Sequence, residues 1–102
     1  MPRKEHQTTP LVLGGFLYTQ QAAVPLDTQA WFDWLDQHST FYLDHPLGSF
    51  TARREPRAAG FFWYAFRRYR KQLFKAYLGR SSDLSSVRLL SVAQQLAHKA
   101  GV

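Results

Sequence analysis

Apolar and polar positions alternate from residue 49 to residue 55. Phe50 and Ala52 share one side, and Thr51, Arg53 and Glu55 share the other. A period of two over that length predicts a half-buried antiparallel strand. Residues 41–44 (Phe-Tyr-Leu-Asp) predict a strand before it, and His45-Pro46-Leu47-Gly48 supplies turn chemistry between the two. Residues 56–60 read as the next turn. Beyond it, residues 61–68 and 72–78 predict a hairpin around Tyr69-Arg70-Lys71.

The register of that hairpin is open. A two-residue turn at Arg70-Lys71 puts Trp63, Ala65, Arg67, Phe74, Ala76 and Leu78 on one face, and Phe62, Tyr64, Phe66, Arg68, Leu73, Lys75 and Tyr77 on the other. A three-residue turn shifts the pairing and swaps the partners of the last strand. The Trp63–Ala65 face is the less bulky. It is therefore expected to be the exposed one, carrying Arg67 outward, while the Phe62–Tyr64–Phe66 face packs inward.

Two stretches change period. Pro25-Leu26-Asp27-Thr28 is a helix-start signal, with Asp27 or Thr28 as the cap. Trp31, Trp34, Leu35 and His38 follow at i, i+3, i+4 and i+7, so an amphipathic helix of about three turns is expected, ending near His38 and Ser39. Trp31, Trp34 and Leu35 are its expected core residues. Near the C-terminus, Asp83 or Ser85 is the expected cap of a second helix. Leu89, Leu90, Ala93, Leu96, Ala97 and Ala100 line one face of it, against Arg88, Ser91, Gln95 and His98. Residues 11–18, apolar around Gly14-Gly15, read as a short strand or a hairpin. Residues 1–9 read as a flexible arm carrying Arg3 and Lys4.

These elements predict one α+β domain over residues 10–102. Its expected architecture is a three- or four-stranded antiparallel sheet, with the C-terminal helix packed on one face and a short helix from the N-terminal half completing the core. A hydrophobic content of 45% over 102 residues suits one modest core and argues against wholesale disorder. There is no cysteine, which removes disulfide frameworks and thiolate sites. No apolar run approaches the roughly 20 residues of a membrane-spanning helix. No membrane partner is expected, and the expected location is cytoplasmic.

Charge sharpens this picture. The net charge is +6, and its distribution is uneven. From Glu5 to Phe50 there are five acids and no Lys or Arg; from Arg53 to Arg80 there are nine Lys or Arg and one acid, Glu55. Ordinary surfaces mix both signs, so a basic sheet of this kind points to a polyanionic partner. For any single aromatic here, core packing remains the commoner role.

No pattern for catalysis accompanies the basic unit. His6, His38, His45 and His98 fall in four separate stretches without metal-ligand spacing. Asp44 and Glu55 lack the companion residues of a nuclease pair. Walker, dinucleotide-binding and nucleophile-elbow motifs are absent. No cofactor and no enzymatic activity are expected.

One resemblance adds to this reading. Gly48-Ser49-Phe50-Thr51-Ala52-Arg53-Arg54-Glu55, Trp63-Tyr64-Ala65-Phe66-Arg67-Arg68 and Lys75-Ala76-Tyr77-Leu78-Gly79-Arg80-Ser81-Ser82-Asp83-Leu84 together resemble an N-terminal segment of large LuxR-type transcriptional regulators of Chloroflexi. Those segments carry W-Y-A-Y-R-R followed by K-R-Y-L-G-[RK]-[ST]-x-x-L-T. The β-β-β-α order is also similar to that of the arm-binding domains of tyrosine integrases and of the ethylene-response-factor DNA-binding domain. The chain departs from the regulators in carrying neither their ATPase region nor their helix-turn-helix, and Tyr69-Arg70-Lys71 stands where they usually have glycines. The resemblance implies a module of a transcription or recombination system.

The expected function is non-catalytic nucleic-acid binding through the sheet, with double-stranded DNA as the ligand. Arg53, Arg67, Arg68, Arg70, Lys71 and Lys75 are the expected contacts. The alternative is a protein-interaction or regulatory module that docks an acidic partner.

Overall fold

The stretches with the clearest alternation form the longest strands. The computed structural model describes residues 9–101, so the arm expected over residues 1–9 lies, but for Thr9, outside the described residues. In chain order the elements are β1 (Leu11–Leu13), β2 (Phe16–Tyr18), β3 (Ala23–Pro25), helix α1 (Gln29–Gln37), β4 (Thr40–Leu43), β5 (Phe50–Arg57), β6 (Gly60–Tyr69) and β7 (Gln72–Gly79). A single 3-10 turn (Ser81–Asp83) and helix α2 (Ser86–Lys99) follow.

All seven strands join one sheet in the order β3-β2-β1-β4-β5-β6-β7. The α+β class and the helix packed on the sheet are as expected, but the three- or four-stranded antiparallel sheet is not. The β1–β2 hairpin and β3 extend the sheet beyond β4, and β1 runs parallel to β4 through Leu11–Tyr42 and Val12–Leu43. Helix α1 provides the crossover that a parallel pair requires. Three-residue strands give too few positions for a period to show, which is why these strands are hard to read from sequence.

The β6–β7 hairpin takes the two-residue turn, with Tyr69 paired to Gln72 around Arg70-Lys71. The face assignment is the reverse of the sequence expectation. Trp63, Ala65, Ala76 and Leu78 are buried, whereas Leu73 and Tyr77 on the other face are 52% and 47% exposed. The reason lies in the cross-strand pairs. Ala52 faces Ala65, and Ala65 faces Ala76, so three small residues make a low floor across β5, β6 and β7. Helix α2 packs on that side through Leu89, Val92, Ala93, Leu96 and Ala97. Close approach also needs Gly48, where an added Cβ would stand 2.6 Å from the Ala93 carbonyl oxygen.

The caps fix both helices. Thr28 Oγ1 accepts from the Trp31 N–H at 3.3 Å and starts α1. Asp27 does not cap α1. Its carboxylate instead accepts from the Ser86 N–H at 2.7 Å, joining the α1 entry to the first turn of α2. Ser85 is the cap of α2, accepting from the Arg88 N–H at 3.2 Å. Asp83 closes the 3-10 turn by accepting from the Arg80 N–H.

Trp31 and Trp63 are fully enclosed, and each indole N–H is satisfied: Trp31 by the Leu84 carbonyl at 2.7 Å, Trp63 by Ser81 Oγ at 3.0 Å. Leu35 is also fully buried. Trp34, expected in the core, is only half-buried and stacks on His38 with 4.3 Å between ring centroids.

At the β7 edge, α2 reaches over the sheet. Arg88 donates to the Leu78 and Tyr77 carbonyls at 3.0 and 3.1 Å, and Lys99 donates to the Lys75 carbonyl at 3.2 Å.

Candidate nucleic-acid interface

The strand register sorts the basic residues onto two faces. Thr51 faces Phe66 and Phe66 faces Lys75, while Arg53 faces Tyr64 and Tyr64 faces Tyr77. These pairs, with Arg57, Phe62 and Arg68, occupy the face opposite the helices. Of the expected contacts, Arg53, Arg68 and Lys75 stand on this open face, and all three are exposed. Arg70 and Lys71 form the exposed hairpin tip.

Arg67 does not join them. It shares the helix side with Trp63 and Ala65 and is half-buried. Its Nη1 is enclosed without a hydrogen-bond partner, 3.4 Å from where a Cβ on Gly48 would lie. Arg54, also on the helix side, donates to the Asp36 carbonyl at 2.9 Å and the Leu35 carbonyl at 3.4 Å. It closes the C-terminal turn of α1, where a cation suits the helix dipole.

On the open face the cations sit over aromatic rings. Lys75 Nζ is 4.4 Å from the Tyr64 centroid and 5.4 Å from that of Phe66. The Arg57 guanidinium lies 4.9 Å from the Tyr64 centroid, that of Arg53 lies 5.6 Å from Phe66, and that of Arg80 lies 4.9 Å from Phe62. Each such contact contributes about 0.5–1 kcal/mol at an exposed site. Such contacts also hold long side chains in place, which reduces the rotamer freedom left to lose when a ligand meets them. Beneath the cations the rings touch one another: Tyr77 packs against Tyr64 at 5.6 Å and against Phe62 at 6.2 Å.

Glu55 is the one acid in β5–β7. Its Oε1 accepts from Arg57 at 2.6 Å and lies 3.6 Å from Lys75 Nζ. The hydrogen bond from Arg57 holds the Glu55 carboxyl below its usual range. Desolvation opposes this, and the Lys75 charge reinforces it. Asp44 follows the last residue of β4, and the Leu43–Phe50 pair sets it beside the start of β5, at the far end of that strand from Glu55. The two acids do not converge.

Sequence reasoning missed Arg57 and Arg80. Arg57 was legible in principle, because it continues the Arg53–Glu55 alternation once β5 is carried through Pro56. The N-terminal strands add a different surface to the same face. Leu13, Phe16 and Tyr18 are 43%, 40% and 43% exposed there, with no charge among them.

No protein-family model, curated protein or solved structure matches this chain.

Proposed function

We propose that this protein binds nucleic acid without catalysis, with double-stranded DNA as its ligand, through the open face of β5–β7. The observation that carries this reading is the layer of cations held over rings, Arg53 and Lys75 on Phe66 and Arg57 and Lys75 on Tyr64. Nucleic-acid affinity comes chiefly from phosphate neutralisation, and preset cations supply it. With Arg67 on the helix side, Arg68 becomes the member of that pair that reaches DNA. The resemblance to regulator segments supports reading such a module as part of a transcription or recombination system.

The exposed Leu13, Phe16 and Tyr18 favour a second reading, docking of a protein partner on the same face. Binding to duplex and single-stranded oligonucleotides across a salt series separates the two. Contact with six phosphates gives a log–log slope of about −5 on duplex. No binding at low salt, or a flat slope, overturns the nucleic-acid reading in favour of the protein partner.

A further inference from the structure

Two hairpins in this fold turn in two residues with both central residues at positive φ, the signature of a type I′ turn. The β1–β2 hairpin uses Gly14 and Gly15, at φ 60° and 86°. The β6–β7 hairpin uses Arg70 and Lys71, at φ 51° and 67°. Glycine adopts this conformation freely. A residue with a Cβ is strained there, and Asn-Gly or Gly-Gly is the usual solution. The chain thus takes the relaxed pair at one turn and a strained pair at the other. The strained pair is cationic and exposed, and it sits at the tip of a long hairpin, two residues beyond Arg68. Neither tip cation has an acidic partner within salt-bridge distance among the described residues. Backbone strain of this kind clusters at binding and catalytic sites. The remaining positive-φ residue with a Cβ among the described residues, Asp27, is held by its hydrogen bonds to Ser86, an internal anchor of a kind the tip cations lack.

We infer that the Arg70-Lys71 turn is a phosphate-gripping tip, where hairpin stability is given up to place two adjacent cations beyond the end of the sheet. This rests on the proposed nucleic-acid function and assigns the tip a share of the binding separate from that of the face. Its ligand is the sugar-phosphate backbone, so the tip contributes affinity without sequence preference.

The test uses two double variants of the full chain. Arg70→Asn with Lys71→Gly relieves the strain and removes the charge. Arg70→Gln with Lys71→Gln removes the charge and keeps the strain. Thermal melting and duplex affinity against salt are measured for both. The Asn-Gly variant is expected to melt about 4–8 °C higher than wild type. The Gln-Gln variant is expected to melt near wild type. Both are expected to lose affinity roughly 10- to 60-fold at 0.1 M salt, with the slope shallower by about 2. Wild-type protein that fails to bind duplex overturns the nucleic-acid function and the tip with it. Wild type that binds while both variants keep its affinity and slope overturns the tip alone. An Asn-Gly variant that melts no higher overturns the exchange of stability for charge.

Discussion

The two faces of β5–β7 are made from the same kinds of residue and put them to opposite uses. On the helix side, Trp63 is enclosed, Arg67 is half-buried, and Arg54 is spent on the last carbonyls of α1. On the open side, Tyr64 and Phe66 carry Arg53, Arg57 and Lys75 outward. Aromatic and arginine content therefore does not tell the two faces apart. What separates the faces is the row Ala52, Ala65 and Ala76, which lets a helix lie close on one side only.

The strongest challenge to this contrast exchanges neighbours in β6. Trp63→Ala should destabilise the fold by about 3–5 kcal/mol, as loss of a large enclosed aromatic does. Denaturant unfolding measures it. Tyr64→Ala, one residue on, should cost far less stability and should weaken duplex binding, because it removes the ring under Arg57 and Lys75. If Tyr64→Ala unfolds the protein and Trp63→Ala does not, the faces have been assigned backwards.

A finer comparison sets Arg68 against Arg67. Arg68→Ala should reduce the salt slope on duplex by about 1, the share of one phosphate contact. Arg67→Ala should leave the slope unchanged. Equal loss from both would remove the distinction between faces for binding.

The smallest effect comes from Glu55. At neutral pH its carboxylate neutralises part of the Arg57 and Lys75 charge. Glu55→Gln should therefore raise duplex affinity, about two- to fivefold for a screened surface pair. Its carboxyl is held below the ordinary value of 4.5, so its contribution to stability is present above that value and disappears as pH falls through the folded value. Acid titration of stability should show this small loss below about pH 4.5 in wild type and not in Glu55→Gln.

Much of the C-terminal half was legible because its strands are long enough for alternation to show. The partition of β6 and β7 side chains follows at once from a two-residue turn, and only the choice of turn was open. Asn-Gly at positions 70–71 would have signalled that turn, whereas Arg-Lys hides it. The buried side was misread because bulk was taken as the mark of a core. Ala52, Ala65 and Ala76 are far apart in sequence and become a row only after pairing. Likewise Trp31 and Trp34 share a helical stripe, and periodicity alone does not say which one faces inward. β1–β3 have three residues each, and the parallel β1–β4 pair depends on how α1 crosses over, which no local pattern encodes.

The reach of α2 over β7 has a consequence for how copies of this protein meet. A sheet grows by hydrogen-bonding a new strand to the free carbonyls of its last one. Here Arg88 and Lys99 already occupy the Tyr77, Leu78 and Lys75 carbonyls, and an approaching strand meets two cations instead of acceptors. The opposite border is β3, three residues long and ending in Pro25. Both borders of the sheet, among the described residues, therefore disfavour fibre growth by strand addition, although the chain is aromatic and strand-rich.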